Sequence, residues 1–214
     1  MSGDRGARER IRRLRAIGLV MLVGICVAAC GVPADGGRRG ELRGWVIDTP
    51  VPKPDLTLTD TNGEAFDLRA ETEGYLTLVF FGYTYCPDVC PVHMANLGAV
   101  FGDLIPEVRD RIKVVFVSTD PERDTPERLR SWLDNFDRSF VGLRGSLEDI
   151  NAALSSILLP GVAVIPGEHD SEPLIGHPSA ILAFGPDGTA RARYLFGVRR
   201  SDWAHDLPLL VEGF

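Results

Sequence analysis

Two cysteines four positions apart, Cys86 and Cys90 in Cys86-Pro87-Asp88-Val89-Cys90, stand directly after the apolar run Leu76-Thr77-Leu78-Val79-Phe80-Phe81. Thiols so placed can close a disulfide, exchange with a partner's thiols, or hold a soft metal ion. The spacing is one residue longer than Cys-x-x-Cys and puts the two Cα atoms roughly 6 Å apart on a helix, near the long end of the disulfide range. Oxidation stays open to such a pair but is not what it is best shaped for. Two thiolates suit Cu(I), with a neutral imidazole as the natural third ligand, and they do not fill a structural zinc site, which takes four protein ligands.

Counting the chain's four cysteines narrows the choice. Arg8, Arg10, Arg12, Arg13 and Arg15 precede an uncharged apolar run, Ala16 to Ala29, too short to span a bilayer and shaped like a secretory leader. Its end, Val27-Ala28-Ala29-Cys30-Gly31, is similar to a bacterial lipobox, where cleavage leaves a cysteine that receives lipid; a plain signal peptide with an incidental cysteine is the alternative. Cys26 then departs with the leader and Cys30 is the lipidation candidate. Cys86 and Cys90 remain, to pair with each other, hold a ligand or exchange with a partner. The expected organisation is a lipoprotein signal peptide at 1–29, a flexible Gly-, Arg- and Pro-rich tether at 30–53, and one domain at 54–214. The expected location is the extracytoplasmic face of a bacterial cell membrane, held there by the lipid anchor.

The whole chain has a formal charge of −7, but residues 1–29 hold six Arg against Asp4 and Glu9, leaving 17 basic and 28 acidic residues, or −11, in the rest. That excludes a nucleic-acid binder and an electrostatic grip on anionic lipid.

The elements that must position the cysteines follow from the patterning. Leu56 to Thr59 and Ala65 to Leu68 alternate around Asp60-Thr61-Asn62-Gly63 and predict an N-terminal β-hairpin. Tyr75 to Phe81 and Ile112 to Val117 are apolar runs expected as buried strands. Met94, Leu97, Val100, Phe101 and Leu104 place a helix between them, giving a βαβ unit. Asp124-Thr125-Pro126-Glu127 starts a second helix, Phe140 to Leu143 is a short strand, and Ser146 caps a third helix. Leu159 to Gly176 reads as a long loop. Ala180 to Phe184 and Arg191 to Phe196 form a hairpin around Gly185-Pro186-Asp187-Gly188, and Asp202 to Val211 is a closing helix. This order predicts an α/β fold, a thioredoxin-like sandwich with an N-terminal β-hairpin extension, its ligands beyond the C-terminal ends of the strands.

Within the cysteine loop, Pro87 and Pro91 confine the helix start. With Asp88 as N-cap, Cys90 falls in the first turn, where free N–H groups and the helix dipole are expected to favour its thiolate, and Cys86 lies in the loop before it.

Three stretches in order, Phe81-Gly82-Tyr83-Thr84-Tyr85-Cys86-Pro87-Asp88-Val89-Cys90-Pro91, Ser118-Thr119-Asp120-Pro121-Glu122-Arg123-Asp124-Thr125, and Gly176-His177 ahead of Gly185-Pro186-Asp187-Gly188, resemble the Sco/SenC family of copper proteins. The resemblance runs from about Pro54 to the C-terminus. It implies a membrane-tethered, extracytoplasmic thioredoxin fold that carries copper and helps to assemble the CuA centre of cytochrome c oxidase. Carried over by residue, it makes Cys86 and Cys90 the cysteine ligands and His177 the histidine ligand. Implied partners are the oxidase subunit bearing CuA, another copper donor and a thioredoxin-type thiol reductant, since a Cys86–Cys90 disulfide cannot hold copper as a dithiolate does.

The sequence departs from the family pattern at Pro178. X-Pro bonds are mostly trans, though the strand-edge position raises the odds of cis for His177–Pro178. His93 reads as an ordinary helix residue within reach of the site, and His169 and His205 as solvated. Asp120 and Asp124 are explained by a strand end and a helix cap, with a hydrogen-bonding role for Asp120 open. The competing function is a thiol-disulfide oxidoreductase working through Cys86 and Cys90 without copper. A structural disulfide is a third reading, and a peroxidase is disfavoured because Tyr83 stands where peroxiredoxins carry Thr or Ser.

Overall fold

The structure, a computed structural model, describes residues 42–166 and 172–213. The leader, Cys30 and His169 lie outside them. Eight strands form one mixed sheet in the order β1-β10-β9-β4-β5-β6-β2-β3. In chain order these are β1 (Trp45–Val46), β2 (Thr57–Asp60), β3 (Ala65–Asp67), β4 (Leu76–Gly82), β5 (Ile112–Ser118), β6 (Val141–Arg144), β9 (Ile181–Phe184) and β10 (Ala190–Tyr194). A separate hairpin joins β7 (Ala163–Ile165) to β8 (Leu174–Gly176), and the helices are α1 (Val89–Asp103), α2 (Pro106–Arg109), α3 (Pro126–Leu133), α4 (Leu147–Ser156) and α5 (Arg200–Val211).

The core is β4 paired in parallel with β5, in register from Leu76↔Ile112 to Gly82↔Ser118. Every residue of β4 is buried, as a continuous apolar run requires. Because side chains alternate across a sheet, Leu78 and Phe80 face one layer with Met94, Leu97, Phe101 and Trp203, while Val79 and Phe81 face the other with Ile150 and Leu154. Thus α1 and α5 cover one face and α4 covers the second, the sandwich expected from the sequence.

The N-terminal hairpin pairs Thr57↔Asp67 and Leu58↔Phe66, and Gly63 takes the left-handed φ of 86° that its turn demands. Three expectations change. Residues 42–53, read as part of a flexible tether, are docked: β1 pairs with β10, Leu42 and Lys53 are buried, and Pro52 bridges Thr189. The Asp206 carboxylate accepts from the N–H of Arg43 (2.9 Å), the N–H of Gly44 (2.8 Å) and the Tyr194 hydroxyl (2.8 Å). The long loop from Leu159 to Gly176 contains the β7–β8 hairpin, whose pairing is carried by the main chain and leaves Val164, Ile165 and Leu174 exposed. The closing helix begins at Arg200 rather than Asp202, which instead caps it from inside the first turn.

Since β4 and β10 both run antiparallel to β9, and β1 runs antiparallel to β10, the described chain joins the sheet at the end where β4 finishes. The cysteines lie at that same end.

Candidate metal centre

The chain leaves β4 at Gly82 and turns, with Cys86 N–H on Tyr83 O (3.2 Å), before α1 begins at Val89. Asp88 is the N-cap, as its position between the two prolines predicts, and its carboxylate accepts from Val89 N–H. Pro91 costs nothing there, because first-turn N–H groups have no helical partner. His177 arrives from the far side, directly after β8 and ahead of β9.

The two Sγ atoms and an imidazole nitrogen of His177 all lie within 4.8 Å of one another, the single cluster of three or more metal-binding side chains among the described residues. Cys90 Sγ is 3.5 Å from His177 Nε2. His177 Nδ1 lies 3.1 Å from Pro178 O; a carbonyl only accepts, so Nδ1 carries the proton and the Nε2 lone pair faces the sulfurs. All peptide bonds among the described residues are trans, His177–Pro178 included. Neither cysteine is in a disulfide.

The sulfurs are not equivalent, and their roles reverse the expectation from the helix dipole. Cys90 N–H points at Cys86 Sγ, 3.4 Å away, so the free first-turn donor serves the loop cysteine. Cys86 is drawn down to about 3, first by the proton donated from Cys90 and further by main-chain N–H groups. Cys90, wholly buried, is pushed far up by desolvation and by the Cys86 thiolate. The two shifts are opposed, Cys86 toward the thiolate and Cys90 toward the thiol.

Gly82 makes the approach of Cys90 possible: a Cβ there would lie 2.8 Å from Cys90 Sγ and 3.1 Å from the Phe116 ring. The rings of Phe80 and Tyr83 meet His177 edge-on at 5.9 and 5.6 Å. Asp124 is not the helix cap; Thr125 is, through its hydroxyl to Arg128 N–H. Asp124 instead is fully buried and accepts from Thr84 N–H (3.2 Å), the Thr84 hydroxyl (2.6 Å) and the Ser118 hydroxyl (2.6 Å), pinning the cysteine loop to the end of β5. Desolvation raises its pKa.

Asp120 is not among the clustered ligands. It holds Arg123, whose guanidinium lies 5.9 Å over Tyr83 and donates to Pro173 O (3.1 Å) and Glu172 (3.3 Å). The hairpin leading to His177 is thereby fastened to the strand end. His93 is outside the cluster too, yet it is buried, and desolvation lowers its pKa. His205, read as solvated, has Nδ1 2.7 Å from the Asp206 carboxylate.

Sequence reasoning gave Asp124 to a helix cap, read His93 as an ordinary helix residue within reach of the site, and assigned Gly82 no role. Gly82 carried its own signal, a glycine closing an otherwise apolar strand, which marks close approach. As a donor set, two sulfurs and one imidazole nitrogen fit a soft ion of low coordination number.

A family model described as SCO1/SenC matches residues 48–212. The chain belongs to the SCO1/SenC family. A protein of Stutzerimonas stutzeri named for copper binding is 29% identical over 192 residues, 88% of this chain and 93% of its own length. Among solved structures, apo Sco1 of Thermus thermophilus matches with a TM-score of 0.71 and 29% identity, over 81% of this chain and 99% of that one. Copper-bound ScoI of Bradyrhizobium japonicum matches with a TM-score of 0.64 and 30% identity, over 75% and 99%. The family's fold is the thioredoxin-like sandwich described above, and all three clustered residues fall within the matched range.

Proposed function

We propose that this SCO1/SenC protein is an extracytoplasmic copper carrier that loads Cu(I) on Cys86, Cys90 and His177 and delivers it to the CuA centre of cytochrome c oxidase during assembly. The observation that carries the reading is the convergence of two sulfurs and one imidazole nitrogen within 4.8 Å, with no fourth such ligand among the described residues. Two soft thiolates and an imidazole hold Cu(I) firmly, and an open coordination position lets an acceptor's thiolate join before the donor's leaves. Loading releases the single proton from Cys90, and Cys86 is already a thiolate.

The cargo calls for partners: a copper donor, a thioredoxin-type reductant that keeps both thiols free, and the CuA-bearing subunit. A lipid on Cys30 would hold the domain at the membrane's outer face, since twelve residues from Cys30 to Leu42 reach about 40 Å when extended. No helix among the described residues is long and apolar enough to cross a membrane.

The test is the copper content of the purified protein after exposure to Cu(I) under reductant. One equivalent is expected for the natural chain and none held tightly by Cys86→Ser with Cys90→Ser; undiminished binding by the double variant sinks the proposal.

One observation favours a second reading. A stabilised thiolate beside a protonated thiol is the asymmetry that thiol-disulfide exchange uses, so the same pair could reduce an acceptor's cysteines without carrying copper. His177→Ala separates the two: a carrier loses delivery, whereas a reductase keeps its exchange rate.

A further inference from the structure

Resting on the reading of Cys86, Cys90 and His177 as a copper site, we propose that His93 is a positioning residue that latches the His177 segment to the cysteine helix and presets the imidazole against the two sulfurs. His93 lies on α1 three residues beyond Cys90 and is only 2% exposed. Its Nε2 is 3.0 Å from Ser179 O, two residues past His177. A carbonyl cannot donate, so Nε2 of His93 carries the proton.

His177 is bonded in the opposite sense, its Nδ1 donating to Pro178 O. Two imidazoles in opposite tautomers therefore hang on two successive carbonyls, Pro178 and Ser179. The first bond turns the His177 ring and leaves its Nε2 free; the second fixes the main chain that carries it. Apart from the approach of His177 Nε2 to Cys90 Sγ, the His93 bond is the one hydrogen bond between α1 and residues 177–179 among the described residues.

The latch is itself held. The His93 ring packs edge-on against Phe80 at 5.2 Å and Phe196 at 5.9 Å, and Phe80 also meets His177 at 5.9 Å. Because His177 stands 87 residues from Cys90, nothing local in sequence ties it to the sulfurs. A third ligand left to wander must be ordered each time the ion is captured, and ordering weakens capture. His93 does that ordering during folding.

Two measurements on the whole protein test the latch. The first needs no metal: imidazole nitrogen NMR of the reduced protein is expected to show His93 protonated at Nε2 and His177 at Nδ1. A His93 protonated at Nδ1, or exchanging between tautomers, overturns the proposal. The second is Cu(I) affinity by competition with a chromophoric chelator. Loss of a partner that orients a ligand typically costs ten- to a hundredfold in metal affinity, so His93→Leu should bind at least tenfold more weakly. His93→Gln, which keeps an N–H at the same reach, should stay within about threefold of the natural chain. Leucine as tight as histidine, or glutamine as weak as leucine, overturns the latch. If His93→Leu does not fold, the tautomers and His93→Gln still decide. A natural chain that binds no Cu(I) overturns the copper site, and the tautomers then judge the latch separately.

Discussion

The two ends of β4 carry polar groups and leave them in opposite conditions. At its start, the buried ammonium of Lys53 donates to Thr72 O (3.2 Å), the Thr72 hydroxyl (2.6 Å) and the Thr77 hydroxyl (3.1 Å). Three donors meet three acceptors and nothing is left over. Beyond its other end, Cys86 Sγ, Cys90 Sγ and His177 Nε2 converge within 4.8 Å, and apart from one thiol proton all three are electron-pair donors. That set is complete only when something electron-poor enters it. Closure at one end serves stability, and incompleteness at the other serves chemistry.

The largest effect expected from this contrast is kinetic. With Cys86 drawn down to about 3, its thiolate persists in mild acid, so its alkylation by iodoacetamide should change less than twofold between pH 8 and pH 5. An ordinary thiol with a pKa near 8.5 would slow several hundredfold over that range. Peptide mapping should place the label on Cys86, with Cys90 unreacted in the folded protein. Equal labelling, or the ordinary pH profile, would mean the sulfurs are equivalent.

The next test closes the open end with a methyl group. Gly82→Ala puts a Cβ 2.8 Å from Cys90 Sγ and 3.1 Å from Phe116, and overpacking of this kind costs about 1–3 kcal/mol. The strain falls on a ligand, so Cu(I) affinity should drop about tenfold or more along with stability. Chelator competition and urea denaturation read the two quantities separately; a stability loss with unchanged affinity would show that Cys90 has room to move.

How far these features could be read in advance depended on how locally they are determined. The continuous apolar run of β4 and the Asp88 cap between two prolines specify their own conformations, and both are found where the sequence puts them. Asp124 and Thr125 are adjacent and either could cap α3; the hydroxyl does, because the loop's donors claim the carboxylate. β1 is two residues of pairing against Arg193 and Ala192, with no periodicity of its own to betray it. Lys53 sits in a stretch of Pro, Val and Lys that reads as linker, and its burial depends on hydroxyls 19 and 24 residues away. The same distance effect hid His93. Nothing near it in sequence announces Ser179 O, 86 residues on.

At the closed end, Lys53→Ala should remove stability without touching the metal site. It deletes three hydrogen bonds and the packed methylene stem, a loss of about 2 kcal/mol by comparison with other buried polar truncations. Urea denaturation checks that figure. Cu(I) affinity should remain within twofold, since Thr77 is five residues from Gly82 along a rigid strand. A parallel fall in affinity would mean that the two ends of β4 are coupled.

The smallest expected effect concerns the charge on that ammonium. Desolvation lowers Lys53 from 10.5 to about 8, with the Asp187 carboxylate opposing the shift. Between those two pH values the unfolded chain holds a proton that the folded protein has released, so raising the pH favours the folded state. The gain is absent below pH 8, grows through the window and is complete above 10.5. Measured as the difference between the natural chain and Lys53→Met, stability should shift toward the natural chain by about 1 kcal/mol between pH 7 and pH 9. A flat difference would show that the three oxygens hold Lys53 charged as firmly as water does, making the closed end a solvated cation in all but location.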